Sequence, residues 1–258
     1  MLGAIIGDFV GSVHEWSATK TKDFPLLVRS SRFTDDSLLT IAVAKCILEG
    51  SDYAPAFHSM VERYPGAGWG GRFRQWGLAR NTAAYGSYGN GSAMRVSPIG
   101  FAFGTAEETL REAERSAAVT HDHPEGIKGA QATALAVFLA RHGADKQEMR
   151  RQISERFEYD LSRHLDDIRP TYAFDESCQG TVPQAITAFL ESTDFEDAVR
   201  NAVSLGGDAD TLAAITGAIA RAHYGAVPTP LREWVRWRLP HDLWEVVERF
   251  EHRFGIAV

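Results

Sequence analysis

The sequence predicts an all-α fold of about ten helices, and three observations lead to that prediction. Apolar residues recur three and four positions apart over most of the chain, as on one face of a helix. Helix-start signals precede these periodic segments, and glycines follow them. The two short apolar runs that could form strands, residues 26–28 and 99–103, have no partners with clear turn chemistry. Because the 258 residues show no linker or repeat, we expect one domain over residues 1–258.

The individual helices follow from their periodicity and their ends, taken in chain order. Residues 38–49 form an apolar segment that ends at Gly50, and Thr105 with Glu108 forms a capping box before the next helix. Residues 130–140 are apolar almost all round, which is typical of a buried helix. The later signals are the first-turn proline Pro124, the capping box of Thr193 and Glu196, the glycines Gly143 and Gly225, and the periodic sets Met149, Ile153, Phe157; Val182, Ile186, Phe189, Leu190; and Leu212, Ile215, Ile219, Ala222.

Composition and charge exclude several classes of protein. The formal net charge is −7 and no basic stripe is visible, so we expect no stable nucleic-acid binding. No stretch reaches the roughly 18 apolar residues of a membrane span, and the N-terminus lacks the basic region of a signal peptide. The two cysteines, Cys46 and Cys178, are interpreted as small buried hydrophobic residues in a reducing compartment. We therefore expect a cytoplasmic protein with no membrane partner.

Two segments carry paired carboxylates and a threonine at a predicted helix start. Helix capping explains the first segment and one acid of the second, but it does not easily explain two acids behind a double glycine. The segments are Thr34-Asp35-Asp36-Ser37 and Gly206-Gly207-Asp208-Ala209-Asp210-Thr211.

Together, the two segments point to a metal centre. If the two helix starts face each other, four carboxylates converge and repel one another strongly unless a cation binds. All the candidate ligand atoms are oxygens, which suit Mg²⁺, Mn²⁺ or Ca²⁺ rather than Zn²⁺. Two such ions bridged by a carboxylate can activate a water molecule.

A glycine-rich segment at residues 86–95 is a candidate for ligand contact. Its three glycines within six residues leave backbone N–H groups free to surround an anion, and Tyr88 offers a ring that could stack on a base. The alternative is a mobile surface loop. Residues 65–104, which include this segment, form the longest predicted irregular region, and such regions are often functional.

Two more segments contain acids or histidines near predicted helices. A helix is preceded by His121, Asp122 and His123. These residues could form a ligand set, or Asp122 could cap the helix while the histidines are solvated. Residues 7–15 place acids at both ends of a run of small residues, which fits either a site or close helix packing.

In this order and spacing, the five segments resemble the ADP-ribosylglycohydrolase family, which includes the hydrolase that reactivates dinitrogenase reductase and the eukaryotic ADP-ribosyl-acceptor hydrolases. The resemblance spans nearly the whole chain, and the ordered set is specific although each motif alone is weak. The matching motifs are Gly7-Asp8-x-x-Gly11-x-x-x-Glu15, Thr34-Asp35-Asp36-Ser37, Tyr88-Gly89-Asn90-Gly91-Ser92-Ala93-Met94-Arg95, Thr120-His121 and Gly206-Gly207-Asp208-x-Asp210-Thr211.

The resemblance implies an all-α orthogonal bundle whose dinuclear centre holds two divalent ions, Mg²⁺ or Mn²⁺. It implies a hydrolase that acts on an ADP-ribosylated protein or another ADP-ribosyl conjugate and releases ADP-ribose. A monomer is expected, although the sequence leaves the oligomeric state open. Asp36 and Glu15 are the candidates for the carboxylate that takes a proton from the attacking water. The implied metal-binding positions are Thr34, Asp35, Asp36, Asp208, Asp210 and Thr211. The implied substrate-binding positions are Ser87, Tyr88, Gly89, Asn90, Gly91, Ser92, Met94 and His121.

The acceptor and two rival functions remain open at this point. Ser37 stands where threonine is common, and the chain is shorter than the eukaryotic members, so loops that shape the acceptor pocket are expected to be reduced. Arginine-linked protein is the first expectation and serine-linked protein the second, with nucleic acid and small metabolites also open. His58, His121-Asp122 and Asp208 follow the order of HD-type phosphohydrolases, which leaves the paired acids unexplained. A non-catalytic ADP-ribose-binding relative would be expected to have lost an acid.

Overall fold

The computed structural model describes residues 1–256, and helices account for all of its regular structure. No strand occurs in this part of the chain, where Gly89 and Ser177 form an isolated antiparallel bridge. The all-α prediction is confirmed, although fifteen helices replace the expected ten or so because several span only one or two turns. The helices are α1 (Leu2–Gly11), α2 (Asp35–Glu49), α3 (Tyr53–Arg63), α4 (Gly71–Leu78), α5 (Gly91–Met94), α6 (Ser97–Ala102), α7 (Ala106–Ala118), α8 (Pro124–Arg141), α9 (Lys146–Phe157), α10 (Leu165–Ile168), α11 (Cys178–Leu190), α12 (Phe195–Val203), α13 (Ala209–Tyr224), α14 (Thr229–Arg238) and α15 (His241–Arg253).

Helices α1 and α13 form the centre of the molecule and pack in backbone contact. All ten residues of α1 are buried. A Cβ atom placed on Gly7 would lie 2.0 Å from the carbonyl oxygen of Ala213, and one placed on Gly11 would lie 2.3 Å from that of Ala209. The helices are antiparallel, since Gly3 lies opposite Gly217 at the other end. This packing brings the C-terminal end of α1 beside the start of α13.

The region predicted to be irregular, residues 65–104, contains three helices instead. They are α4, α5 and α6, and the candidate strand at residues 99–103 falls mostly in α6. These helices are short and rich in glycine, so they show no clear 3.6-residue period in the sequence. Their burial against the core holds them helical despite that composition: Phe73 and Trp76 of α4 and Ile99 of α6 are all buried.

Helix ends were predicted with mixed success. Thr105 accepts a hydrogen bond from the backbone N–H of Glu108, as the capping box predicts. The box at Thr193 is wrong, because Asp194 caps α12 by accepting from the N–H of Asp197. Likewise His123, and not Asp122, caps α8 through its ring Nδ1.

The buried environment predicted for both cysteines is confirmed, since Cys46 and Cys178 are free thiols in the interior. Within residues 1–256, no helix combines the length and apolar character that crossing a membrane requires.

Candidate metal centre and substrate cleft

The starts of α2 and α13 meet, as the paired acidic segments suggest. The hydroxyl of Thr211 lies 3.4 Å from Asp36 Oδ2, which joins the first turn of α13 to the first turn of α2. Both helices begin slightly earlier than the apolar segment 38–49 and the periodic set that starts at Leu212 indicate, so Asp35, Asp36 and Asp210 lie inside the first turns. The acids therefore converge at the positive ends of two helix dipoles.

Capping does not account for the first acid pair. The Thr34 side chain accepts a hydrogen bond from the N–H of Asp36 and so caps α2. Asp8, fully buried on α1, accepts from the N–H of Thr34 at 2.9 Å and from that of Ser37 at 3.1 Å, and it also accepts from both hydroxyls. The carboxylates of Asp35 and Asp36 are therefore not needed to cap α2.

The second pair is placed in a similar way. Asp208 stands at the N-cap position of α13, but its side chain makes no capping bond. Its Oδ2 accepts a 2.7 Å hydrogen bond from the side-chain amide of Asn90. Asp210 Oδ1 accepts from the N–H of Thr211 at 3.0 Å. The glycine-rich segment is thus tied directly to the acids.

Burial and mutual repulsion favour the protonated form of four of the carboxyl groups, those of Asp8, Asp35, Asp36 and Asp208. Burial raises the pKa of Asp35, Asp36 and Asp208 well above the usual range, and the charge of Asp210 adds to the rise. Burial, followed by Asp210, raises the pKa of Asp8 to about 7 despite its four hydrogen bonds. A group of carboxyls that resists ionisation in this way is what a bound cation would relieve.

The residues present fit a hard divalent cation. Asp36 Oδ1 is buried and has no hydrogen-bond partner, so it has an unused acceptor that a cation would satisfy. Glu15, Asp208 and Asp210 each offer an oxygen, and these oxygens lie within 4.8 Å of one another. Glu15 therefore joins the possible ligands, a role that the sequence analysis did not assign to it. Burial, followed by the charge of Asp210, raises the pKa of Glu15 to about 7.

A cleft of about 420 Å³, open to solvent, is lined both by these acids and by the glycine-rich segment. Its aromatic rim includes Trp16 and Phe174, whose rings are stacked with centroids 5.3 Å apart. Arg72 contributes a cation to the same cleft. The predicted site residues that line it are Glu15, Asp35, Asp36, Ser87, Gly89, Asn90, Gly91, Met94, His121, Asp208, Asp210 and Thr211.

Three predicted residues lie outside the lining of this cleft. Thr34 is buried against Asp8. The Ser92 hydroxyl is also buried and donates to the carbonyl oxygen of Gly126 at 2.7 Å. Tyr88 is half exposed, with its ring 5.3 Å from that of His123. The roles assigned to these residues stay predictions.

The histidine and aspartate order of an HD-type centre is not assembled. A ring nitrogen of His58 lies 3.0 Å from the carbonyl oxygen of Asn81, and the ring packs on Trp76 away from the cleft. Asp122 accepts from the N–H of Gly86 at 2.7 Å and is likewise outside the cleft lining. Asp208 and His121 are therefore left without the other members of that set.

Two features of the site have little or no signal in the sequence. Phe174 lies in an irregular segment without periodicity, and it meets Trp16 only through the fold. The hydrogen bond from Thr34, at the start of α2, to Asp8 joins residues that are 26 positions apart in the sequence. The position of Asp8 in a motif beside a possible site was the available hint.

The fold and site define a class: an all-helical protein with a buried cluster of carboxyl groups at two helix starts, beside a glycine-lined cleft. The sequence profile described as ADP-ribosylglycohydrolase matches residues 1–256, and the chain belongs to that family.

Individual relatives agree with this assignment. The chain is 27% identical over 314 residues to ADP-ribosylhydrolase ARH3 of Xenopus tropicalis, covering 93% of this chain and 89% of the relative. It is 29% identical over 273 residues to ADP-ribosylarginine hydrolase Tri1 of Pseudomonas putida (strain GB-1), covering 91% of this chain and 72% of the relative. A solved structure titled ADP-ribosylglycohydrolase-related protein complex shares the fold, with a TM-score of 0.70, 24% identity and 96% coverage of both chains.

Proposed function

We propose that this protein is a metal-dependent hydrolase that cleaves the glycosidic bond between ADP-ribose and an acceptor, with arginine-linked protein as the first acceptor. The observation that carries the proposal is the meeting of two acid pairs beside the cleft, with Asp36 Oδ1 buried and lacking a hydrogen-bond donor. Two divalent ions, Mg²⁺ or Mn²⁺, match this all-oxygen set. Membership of the ADP-ribosylglycohydrolase family supports the reaction class.

The lining of the cleft suits a ligand that contains a diphosphate. The segment of Gly89, Asn90 and Gly91 lines the cleft beside the acids, with Asn90 hydrogen-bonded to Asp208, and Arg72 adds a positive charge to the lining. In the proposed pose the diphosphate lies along this segment and the distal ribose points to the acids. The anomeric carbon then comes to the part of the cleft that contains Glu15 and Asp36.

The reaction consumes one water molecule. The water oxygen forms a bond to the anomeric carbon, the carbon–nitrogen bond to the acceptor breaks, and the leaving nitrogen takes up a proton. Charge on the sugar develops as in other glycoside hydrolysis. Glu15 or Asp36 accepts the proton of the attacking water, and the raised pKa of Glu15, about 7, is suited to that task. When bound, the divalent ions supply positive charge that orients ribose hydroxyls and makes water more acidic.

The rim of the cleft favours an arginine acceptor. The exposed, mutually stacked rings of Trp16 and Phe174 line the same cleft as Glu15, and Glu176 adds a further carboxylate to that lining. A guanidinium group is planar and cationic, so it stacks on aromatic faces and pairs with carboxylates. A serine side chain offers neither property. The relative Tri1 is named as an ADP-ribosylarginine hydrolase, which supports the same choice.

The test is release of free ADP-ribose, followed by mass spectrometry, from arginine-linked protein, serine-linked peptide and end-modified DNA. Each substrate is incubated with Mg²⁺ or Mn²⁺, with and without a chelator. We expect cation-dependent release, fastest from the arginine conjugate. Asp36→Asn and Glu15→Gln should each slow release by at least about 100-fold if the residue takes the proton. The matched controls are Asp23→Asn and Glu107→Gln, which change exposed acids outside the cleft.

Other outcomes identify the rival functions. Release of phosphate or a nucleoside monophosphate would indicate a phosphohydrolase. Tight ADP-ribose binding without turnover in either metal would indicate a binding protein. Full activity of both Asp36→Asn and Glu15→Gln on every substrate would contradict the proposed roles of these carboxylates.

A further inference from the structure

Among residues 1–256, Arg95 is the largest fully buried side chain, and no carboxylate in that range forms an ion pair with it. It stands at the end of α5 with no exposed surface. Its guanidinium lies 4.6 Å from the centre of the Phe57 ring. Burial lowers its pKa to about 10, so the group still carries a proton at neutral pH. Burying an unpaired cation is costly, and a specific role for Arg95 would account for that cost.

The hydrogen bonds of Arg95 lead to one hydroxyl. Arg95 Nη2 donates to the carbonyl oxygen of Ser116 at 2.8 Å and to Thr120 Oγ1 at 3.2 Å. Thr120 is also fully buried, and its Oγ1 lies 2.7 Å from His121 Nδ1. Arg95, Thr120 and His121 therefore form a continuous chain that ends at a residue lining the cleft.

The direction of the protons in this chain follows from chemistry. An arginine side chain has donors only, so the Thr120 oxygen must be the acceptor toward Arg95. Within residues 1–256, no other group is within hydrogen-bond reach of the Thr120 side chain. If His121 Nδ1 carried a proton, two donors would point at one hydroxyl, whose own proton would be buried without an acceptor. The hydroxyl proton instead goes to Nδ1, which is then unprotonated.

The other ring nitrogen faces the substrate side. Burial lowers the pKa of His121 well below its usual range, with Arg95 and Arg72 adding to the effect, so the ring is neutral at neutral pH. A neutral ring with an unprotonated Nδ1 carries its proton on Nε2. A Cβ atom placed on Gly91 would lie 3.3 Å from this Nε2, and one on Gly89 would lie 3.7 Å away. No protein group in the described part of the chain is hydrogen-bonded to Nε2.

We infer that Arg95 and Thr120 are positioning residues that hold His121 in the neutral tautomer protonated on Nε2, making it a fixed hydrogen-bond donor to an oxygen of the bound ligand. This inference rests on the proposed function for the identity of the ligand, whose diphosphate and ribose supply such oxygens beside Gly89 and Gly91. It assigns His121 neither a general-base role nor a metal-ligand role, since Nδ1 is occupied and Nε2 is protonated.

The test begins with the tautomer itself. Protein labelled with ¹⁵N at histidine is studied by long-range ¹H–¹⁵N NMR without metal, and His121→Asn assigns the signal. We expect the wild-type ring at neutral pH to show a protonated Nε2 and an unprotonated Nδ1. In Thr120→Val the ring should no longer be found only in this tautomer, whereas Thr120→Ser should keep the tautomer because the hydroxyl remains. A wild-type ring protonated on Nδ1 or on both nitrogens would overturn the inference even if every variant failed to fold.

The second readout is binding of free ADP-ribose by calorimetry. We expect affinity to fall by about tenfold in Thr120→Val and in Arg95→Met, and to stay within about twofold in Thr120→Ser. An unchanged tautomer and affinity in Thr120→Val would also overturn the inference. If wild-type protein bound no ADP-ribose, the proposed function would fail, while the NMR result would still decide the tautomer.

Discussion

Asp8 Oδ1 accepts a 2.8 Å hydrogen bond from Thr34 Oγ1, which ties the middle of α1 to the residue that caps α2. Because the Thr34 proton is directed to Asp8, the remaining lone pairs of that hydroxyl are free to accept from the N–H of Asp36 or to meet a cation. One buried carboxylate thus organises the helix start that presents Asp35 and Asp36 to the cleft.

Replacing Asp8 should weaken both the fold and cation binding. Asp8→Ala removes the acceptor of two backbone N–H groups and two hydroxyls, all buried, so we expect a loss of about 3 kcal/mol in the free energy of unfolding. Affinity for Mn²⁺ should fall by at least about tenfold because the first turn of α2 is no longer held. Urea unfolding and Mn²⁺ calorimetry measure the two effects. Asp23→Ala, which changes an exposed acid, is the control, and equal values for both variants would contradict this role.

The backbone contact between α1 and α13 predicts that Gly7 does not tolerate a side chain. In Gly7→Ala the new Cβ would lie 2.0 Å from the carbonyl oxygen of Ala213, a backbone atom that cannot move alone. We expect a destabilisation of at least about 3 kcal/mol, measured by urea unfolding. In Gly66→Ala the new Cβ would meet no heavy atom within 4 Å, so stability should stay within about 0.5 kcal/mol. Similar stabilities of the two variants would show that the helices can move apart freely.

The acid cluster predicts how stability depends on pH and on cations. The pKa of Asp8 rises from 3.8 to about 7 on folding, so the folded chain binds the proton more tightly than the unfolded chain does. This contribution to stability is fully present below about pH 4 and is lost as the pH rises through about 7. The thermal unfolding midpoint of the cation-free protein should therefore decrease as the pH is raised from about 5 to about 8.

Added Mn²⁺ should reverse that trend, since it binds the ionised carboxylates and not the protonated ones. We expect the rise in thermal midpoint on adding Mn²⁺ to be larger at about pH 8 than at about pH 5, measured by scanning calorimetry against samples with chelator. Asp36→Asn should reduce this rise, whereas Asp23→Asn should keep it. A larger effect at the lower pH would contradict binding at these acids.

The aromatic rim formed by Trp16 and Phe174 predicts that a substitution there impairs recognition of the acceptor but not binding of ADP-ribose. Trp16→Ala should raise KM for arginine-linked protein by about tenfold, because the stacked pair with Phe174 is lost, and should change the affinity for free ADP-ribose by less than about twofold. Steady-state kinetics and calorimetry provide the two values. Trp237→Ala is a matched control because Trp237 is 86% exposed on α14, outside the cleft. Equal losses with serine-linked peptide would argue against guanidinium recognition.

The sequence by itself determined the all-helical class and the two acidic helix starts. Helix formation depends on neighbours three and four positions away, so the pattern of apolar residues and the capping box at Thr105 were sufficient evidence. The same local signals were ambiguous where several groups compete for one helix end, as at Thr193 and Asp194. They also missed α4 to α6, whose glycine-rich sequences depend on burial to stay helical.

The tertiary structure alone decided what each acid is free to do. From the sequence, helix α2 could be capped by Thr34, Asp35 or Asp36. In the structure, Thr34 caps the helix and Asp8 of α1 accepts the hydrogen bonds of Thr34 and Ser37, so the carboxylates of Asp35 and Asp36 are not needed for capping. The contact of Trp16 with Phe174 and the chain from Arg95 to His121 are likewise set by packing between distant segments. A side chain's type limits which bonds it can make, but the partner that it meets, and so its charge and its proton, depend on the fold.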